Sequence, residues 1–317
     1  MKTTFPWFWT CLAFCVFFIG CGGGGGDSAP PAPAIVYTGL TTPAVITAAN
    51  ANELALDAYE GSNLTPVGAV TSGGASKPLY KRITTLVNRT AEFQIGSSSV
   101  VTAAQVTKSQ TVNGTCGGTQ VTTITYDDVT GNYTGTVTFT NYCDDGDVTN
   151  GVASVSGIYD LVNDTLLTII MSTSSINISG AVNLTIKGTF SMNFQTGFLG
   201  ITDFYVRDNN SGKVEWVPNF TITSVEGGGG TYTDLTMTGR YYNPDYGYVD
   251  LTTTTSIRQY TDLPNPSSGI LLLTGAPGSA GGNTKAQLVF LSSSSYEVDA
   301  DTNGDDSWDW NSGTKNW

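Results

Sequence analysis

The acidic segment near the C-terminus has the residue types and spacing that hold a hard cation. Asp299, Asp301, Asn303 and Asp305 occupy alternate positions, and Gly304 follows Asn303. Calcium takes about six to eight oxygen ligands, and side chains at positions 1, 3 and 5 of a tight loop converge on one point, with glycine at position 6 permitting the turn. The spacing therefore predicts a calcium site of the weak, extracellular kind.

The match to a calcium loop is incomplete at its far end. Trp310 stands where a bidentate glutamate is expected, the nearest carboxylates are Asp306 and Asp309, and no helical pattern flanks the loop. The other interpretation is a hairpin tip whose side chains cap nearby backbone groups. Both interpretations concern the same candidate residues, which are Asp299, Asp301, Asn303, Asp305 and Asp309.

Aromatic residues beside carboxylates suggest a second chemistry, the binding of a glycan. Trp308 and Trp310 alternate next to the acidic loop, and four tyrosines lie close to Asp245 and Asp250, namely Tyr241, Tyr242, Tyr246 and Tyr248. Aromatic rings stack on sugar faces, and carboxylates accept hydrogen bonds from hydroxyls. Alternating aromatics in strands also pack against each other across a sheet, so both roles stay open.

The composition excludes several classes of function. The 317 residues include no histidine, which the common serine and cysteine hydrolase sites, most zinc sites and His-ligated haem require. Paired-carboxylate chemistry survives in principle. The net charge of -13 argues against a nucleic-acid partner, because phosphate binding needs a clustered basic face. We expect a protein that is not an enzyme.

The N-terminal segment has the features of a targeting signal. Lys2 precedes an apolar run over 5–19, too short to cross a membrane, and the run ends in Phe-Ile-Gly-Cys21 followed by five glycines. This segment resembles the bacterial lipoprotein signal. The resemblance implies cleavage before Cys21, acyl chains on that cysteine, and membrane attachment through them. Gly22 after the cysteine resembles lipoproteins that are passed to the outer membrane.

Composition and pattern divide the chain into five parts. We predict a signal peptide over 1–20, an acylated cysteine with a flexible Gly/Pro linker over 21–34, a helical segment over 35–100, an antiparallel β body over 101–263, and a C-terminal β-hairpin with the acidic loop over 264–317. The linker is rich in glycine, and a coil of this length reaches on the order of 20 Å.

Cys116 and Cys143 are the two cysteines of the predicted folded body. An exported compartment is oxidising, so an even pair is most simply a disulfide. A reactive thiol or a metal pair is the alternative, but the spacing is not CxxC. The two residues flank a hairpin, and the bridge would hold its open end at a sheet edge.

The pattern predicts a mainly β fold with two short N-terminal helices. Apolar residues recur with helical spacing over 47–61 and again over 77–92. From about residue 104 onward, apolar residues alternate with Thr, Asn and Ser, and turn residues separate the runs. Short turns join sequence neighbours, so we predict a large antiparallel meander, either as a curled sheet or half-barrel with the helices on its concave side, or as a β-sandwich.

Several motifs resemble a recurring module of uncharacterised exported bacterial proteins. They are the Cys-Gly-Gly to Asn-Tyr-Cys hairpin over 116–143, the tyrosine-rich Gly-Tyr-Val-Asp strand over 240–250, the stretch over 266–269, and the terminal acidic hairpin. The resemblance to this family of Thr/Gly-rich all-β lipoproteins covers about two thirds of the chain after the signal. The resemblance implies an all-β architecture, and no activity is assigned to the family.

Two classes of function follow from these expectations. The first is a non-catalytic lipoprotein of the outer membrane, on its periplasmic face or the cell surface, that presents a polar β surface to a protein or glycan partner in an adhesin-like or structural role. The second is a periplasmic carrier, in which a curled sheet holds a lipid or another hydrophobic ligand. Membrane contact through Cys21 is common to both.

Overall fold

The computed structural model of the protein describes residues 34–60, 105–144, 146–180 and 182–317. Cys21, most of the predicted linker and the predicted helix over 77–92 lie outside this part of the chain. The stretch Ala34–Trp317 forms one compact unit.

One helix and fifteen strands make up the described part of the chain. The helix α1 covers Ala51–Glu60, within the predicted range. The strands are β1 Gln105–Asn113, β2 Gly117–Asp127, β3 Asn132–Asp144, β4 Asp147–Asp160, β5 Thr165–Ser179, β6 Asn183–Asn193, β7 Phe198–Asp208, β8 Val214–Gly227, β9 Tyr232–Asn243, β10 Gly247–Tyr260, β11 Ser268–Pro277, β12 Asn283–Ser292, β13 Ser295–Asp301, β14 Trp310–Asn311 and β15 Lys315–Asn316.

The strands form one antiparallel sheet in which β1 to β14 follow each other in sequence order, while β15 pairs with β13. The sheet is curled and does not close. This confirms the predicted meander and the curled-sheet alternative, and the sandwich is not formed. Short turns explain the order, because a strand that ends in a tight turn pairs with the next strand along the chain. The strands of 264–317 continue the same sheet.

Alternation of side chains gives the sheet one buried face and one polar face. In β3, Val137 and Phe139 are buried, whereas Thr136 between Gly135 and Val137 is exposed. Most of the buried apolar residues of β2 to β13 belong to one hydrophobic core. We call the side of the sheet that carries this core the inner face, and the opposite side the outer face. Burial of apolar surface on the inner face is the main driving force for the fold.

The helix α1 packs on the inner face against β9, β12 and β13. Its buried residues recur with helical spacing and are Ala51, Leu54, Ala55, Ala58 and Tyr59. Polar contacts fix its position, since Tyr246 Oη donates to Glu53 Oε2 at 2.8 Å and Asn243 Nδ2 donates to Asp57 Oδ2 at 3.1 Å. In the described part of the chain, no helix is long and apolar enough to cross a membrane.

The segment that precedes α1 runs between two strands of the sheet. Ala44 N donates to the carbonyl oxygen of Tyr248, and Ala276 N donates to the carbonyl oxygen of Ala44, so this segment bridges the ends of β10 and β11. Further along, Ile46 N donates to Thr284 Oγ1 on β12. At this end β10 and β11 do not pair with each other, and their backbone groups bond to the Ala44 segment in place of that pairing.

The C-terminal residue closes the other end of the core. The ring of Trp317 lies 4.5 Å from the Tyr296 ring and 5.7 Å from the Phe290 ring, centroid to centroid, and 6.2 Å from Tyr59 of α1. Trp317 N also donates to the carbonyl oxygen of Ser294. Trp317 therefore packs the last strands against the helix.

Candidate binding face and acidic loop

The Cys116–Cys143 disulfide is present, with 5.1 Å between the two Cα atoms. It joins the residue before β2 to the end of β3, as the sequence predicts. The sheet edge lies one strand further than expected, because β1 pairs with the free side of β2. Around the bridge the backbone is tight, since Gly117 and Gly118 have positive φ and Cys116 N donates to the carbonyl oxygen of Cys143.

The acidic loop is a network of hydrogen bonds centred on Asp301. The Asp301 carboxylate is buried and accepts the backbone N–H groups of Gly304, Asp305 and Asp306 at 2.7, 3.2 and 2.9 Å. Gly304 has φ of 78°, and a Cβ there would lie 2.1 Å from the carbonyl oxygen of Gly282. Only glycine fits this position, at which the loop docks on the turn between β11 and β12.

The other candidate ligands also accept hydrogen bonds from neighbouring groups. Asp299 accepts from Gln287 and Asn311, and Asp309 accepts from the backbone and hydroxyl of Thr302. Asn303 accepts a hydrogen bond from the backbone N–H of Asp305, and Asp305 accepts one from the backbone N–H of Ser307. These bonds form two successive turns along the loop. Of the two sequence interpretations, this geometry matches the capped hairpin tip.

No group of three or more His, Cys, Asp or Glu side chains in the described ranges is placed to hold a metal ion. The residues Asp299 and Asp301 share a strand, but their oxygens face different donors. Calcium binding stays a prediction. Calorimetric titration of calcium into the intact protein tests this prediction. The absence of any heat of binding would contradict a calcium site in the acidic loop.

Two opposing effects set the pKa of Asp301. Burial raises the pKa of this carboxyl, and the backbone N–H groups of Gly304, Asp306 and Asp305 lower it by more, so the pKa lies below its ordinary value of 3.8. The ionised form is therefore the one that the folded loop stabilises. Its contribution to stability is fully present above pH 3.8 and is lost as the pH falls through the lower pKa of the folded state.

We expect the variant Asp301→Asn to be destabilised at pH 7 by about 1 to 2 kcal/mol, because an amide cannot accept all three backbone bonds as a carboxylate does. The difference from the wild type should shrink as the pH falls below 3.8. Urea unfolding at several pH values measures both effects. The exposed Asp305→Asn is the control, and an equal loss in both variants, independent of pH, would contradict this role of Asp301.

The carboxylates near the tyrosine cluster are engaged in ion pairs. Arg240 donates from Nε and Nη2 to Asp250 at 2.7 and 2.9 Å, and Lys213 pairs with Asp245. The tyrosines separate by face, since Tyr241 is buried in the core while Tyr248 lies under the Arg240 guanidinium at 3.8 Å. The structure therefore splits the cluster that the sequence suggested as a glycan site.

A ladder of one lysine and four aromatic rings crosses five strands of the outer face. Register pairs place Lys187, Tyr205, Trp216, Tyr242 and Tyr248 side by side on β6 to β10. The Trp216 ring stacks on Tyr242 at 4.5 Å and on Tyr205 at 5.9 Å. The ladder was not predicted from the sequence, although the turn over 209–212 sets the register that pairs Tyr205 with Trp216.

Tyr37 from the N-terminal segment covers this ladder. Its ring centroid lies 5.6 Å from Tyr242 and 5.9 Å from Trp216, and its hydroxyl donates to the carbonyl oxygens of Leu40 and Asn243. Burial raises the pKa of Tyr37 to about 12. Because the rings are stacked and covered, this part of the outer face is packed structure and offers no open aromatic platform.

A row of hydroxyl residues crosses the rest of the outer face. Each of β1 to β7 contributes one residue, and each is the direct register partner of the next: Ser109, Thr123, Thr136, Ser154, Ser172, Thr189 and Thr202. With strands about 4.8 Å apart, the row extends about 29 Å along the sheet. A second row on β1 to β4 consists of Thr107, Thr125, Thr134 and Ser156. We call the two rows together the hydroxyl face.

On β2 to β5 the hydroxyl face is uncharged and carries exposed apolar side chains. Within β2 to β5, charged residues occur only as the first or last residue of a strand. Val152, Ile158 and Ile170 are 51%, 40% and 45% exposed, and they lie beside the two rows on β4 and β5. A broad surface of hydroxyls, methyls and aliphatic side chains can form both hydrogen bonds and apolar contacts with a partner.

Comparison with known proteins adds no relative to this description: no protein-family model, no curated protein and no solved structure matches the chain.

Proposed function

We propose that the protein is a lipid-anchored, exported binding protein without catalytic activity, which presents the hydroxyl face to a protein or glycan partner. The observation that supports it is the continuous row of hydroxyl residues from Ser109 on β1 to Thr202 on β7. The Cys116–Cys143 disulfide is consistent with an oxidising compartment. The anchor is Cys21, and the location is the outer membrane, on its periplasmic face or the cell surface.

The burial of the inner face favours a partner on the outside. Val137, Met171, Ile176, Phe204 and Leu273 are all 0% exposed, and they come from strands throughout the sheet. Side chains that pack to this degree contribute the stability of the fold. The proposal therefore assigns the inner face to stability and the outer face to recognition.

The second candidate, a carrier of a lipid or other hydrophobic ligand, is favoured by one observation. Gln120 Oε1 and Tyr126 Oη lie buried on the inner face of β2 and have no hydrogen-bond partner in the described part of the chain. Such groups cost free energy when they stay unpaired. A ligand with hydroxyl or amide donors on the inner face would satisfy Gln120, so this end of the core is where a carrier would hold its cargo.

Binding to arrays of glycans and of exported proteins tests the leading proposal. We expect the intact protein to retain a partner, and the double variant Thr136→Lys/Ser154→Lys to weaken retention by about tenfold or more, because two ammonium groups would enter an uncharged interface. Both residues are exposed, so each lysine can reach solvent, and the repulsion between these two paired positions should lower the stability of the fold only slightly. Binding by this face should change little with salt, since few charges take part.

The control is Thr261→Lys, which adds one positive charge at an exposed turn away from the face. Equal retention by the wild type, the double variant and the control would contradict the assignment of the hydroxyl face. Thermal unfolding of each variant checks that the fold is intact.

The anchor has its own test. Metabolic labelling with a fatty acid should mark the wild type and leave Cys21→Ser unlabelled, because the thiol is the acyl acceptor. Protease treatment of intact cells then separates the two locations, since only a surface-exposed chain is cleaved. Labelling of Cys21→Ser at the wild-type level would contradict the proposed anchor.

A further inference from the structure

The two edges of the sheet differ in how they are protected. At one edge, β13 is covered by the short strands β14 and β15, and Trp317 packs beside them. At the other edge, β1 pairs with β2 over nine consecutive residues without a bulge, and no strand in the described part of the chain pairs with its outer side. An edge of this length has unpaired backbone N–H and C=O groups that can pair with another strand.

The strand β1 also lacks most of the usual features that block edge pairing. Its sequence, Gln-Val-Thr-Lys-Ser-Gln-Thr-Val-Asn, contains no proline and a single charge, Lys108. Its residues are exposed or half-buried along the whole length. Natural edge strands are often shortened, charged or bulged. β1 is neither short nor bulged, and its one charge, Lys108, lies on the inner side next to the Tyr126 ring.

The sequence of β1 is nearly the same in both directions about Ser109. An antiparallel partner strand of the same sequence would place Gln105 opposite Asn113, Val106 opposite Val112, and Thr107 opposite Thr111, with Ser109 opposite itself. Amides then face amides, valines face valines and threonines face threonines. A two-fold axis requires this kind of self-complementary surface.

We propose that β1 pairs with β1 of a second copy of this chain, antiparallel and centred on Ser109, to form a two-fold symmetric dimer. The pairing adds about eight to ten ladder hydrogen bonds. Thr107, Ser109 and Thr111 continue the hydroxyl residues of the outer face into the second copy, and Val106 and Val112 continue the apolar inner face. The dimer thereby doubles the hydroxyl face.

A single pair of nine-residue strands forms a small interface. Specific, stable interfaces bury about 1,200 Å² or more, and one edge pairing lies near or below the low end of that range. The dimer should therefore be weak, with a dissociation constant of roughly 10 μM or more. Its population must depend on concentration.

The charge at one position provides a matched pair of variants. In the proposed register Lys108 lies opposite Gln110 of the second copy, twice per dimer. Gln110→Glu would place a carboxylate opposite each lysine, and Gln110→Lys would place two ammonium groups there. Gln110 is exposed, so both changes should leave the monomer folded. Opposite charges across a strand pair stabilise it and like charges destabilise it. We therefore expect the dissociation constant of the dimer to fall about threefold or more in Gln110→Glu and to rise by a similar factor in Gln110→Lys.

Sedimentation equilibrium of the intact chain in detergent, at concentrations up to about 1 mM, measures the three dissociation constants. We expect Gln110→Glu to dimerise most tightly, the wild type less, and Gln110→Lys least, with smaller differences at high salt. A chain that stays monomeric throughout would overturn the proposal and leave the edge to a different partner. Equal constants for all three chains would overturn the register.

A cross-link tests the axis independently of affinity. Ser109→Cys should form a disulfide-linked dimer on mild oxidation with copper phenanthroline, because residue 109 faces its own copy. The exposed Ser211→Cys, in the turn between β7 and β8, is the control for random collision. Equal cross-linking of the two variants would contradict the two-fold axis at Ser109.

Discussion

Replacement of both Cys116 and Cys143 by alanine is expected to lower the free energy of unfolding by about 3 to 4 kcal/mol. The two residues are 27 positions apart, and the entropy of closing a loop of this size in the unfolded chain gives about that value. The bridge also holds the start of β2 to the end of β3, next to the edge strand β1. Unfolding in urea, followed by tyrosine and tryptophan fluorescence, measures the loss.

The reducing agent supplies the control for this prediction. Reduction of the wild type should lower its stability toward that of the double variant, and the double variant should not respond to reduction. A double variant as stable as the oxidised wild type would contradict a stabilising bridge.

The variant Leu54→Ala is expected to lower the free energy of unfolding by about 2 to 5 kcal/mol, as large-to-small changes in packed cores do. Leu54 is 0% exposed and lies on the face of α1 that packs against the sheet. The cost arises from the lost apolar contacts and from the cavity left between the helix and the strands. Denaturant unfolding measures it.

Leu40→Ala is the matched control, since Leu40 precedes the helix and is 50% exposed. The control should change stability by less than about 0.5 kcal/mol. A loss below about 1 kcal/mol for Leu54→Ala would mean that the space around α1 is loosely packed. That outcome would favour the carrier over the surface-binding protein.

The sequence predicted the strands well where alternation and turn residues agree. The glycines over 227–230 and the Asn-Pro-Asp-Tyr-Gly turn over 243–247 mark hairpins that the structure contains, at β8–β9 and β9–β10. Leu235 and Met237 belong to one of the alternating apolar runs, and both are buried in the core, as that alternation predicts. These features are local, so a single sequence contains enough information for them.

The choice between a curled sheet and a sandwich could not be made in this way. Both architectures bury one face of each strand, so both produce the same alternation. The difference depends on contacts between distant segments, such as the insertion of Ala44 between β10 and β11 and the packing of Trp317 against Tyr59. No periodicity in the sequence reports such contacts.

The acidic loop shows a different limit. The pattern of Asp299 to Asp305 suits a calcium loop and a capped turn equally, because both need oxygen-bearing side chains at alternate positions and a glycine with positive φ. In the structure the oxygens of Asp301 face backbone N–H groups. The direction in which an aspartate points depends on the turn between β11 and β12 against which the loop docks, and spacing alone does not contain it.

The aromatic residues also show that closeness in sequence does not determine which residues share a face of the sheet. Tyr241 and Tyr242 are neighbours in sequence, but one is buried in the core and the other stacks on Trp216 of the outer face. The sequence grouped them by proximity, whereas the sheet groups residues by face and by pairing. The hydroxyl face was missed for this reason too, since its residues become one row only when seven strands align.

The central claim is that recognition takes place on the outer face while the inner face is packed protein. Extraction of the purified intact protein with organic solvent, followed by mass spectrometry, tests this claim most directly. We expect the amount of non-covalently bound lipid to stay far below one molecule per chain, because core side chains such as Met171 and Phe204 occupy the inner face. Recovery of about one lipid per chain, lost on replacement of Gln120 by leucine, would contradict the claim and identify a carrier.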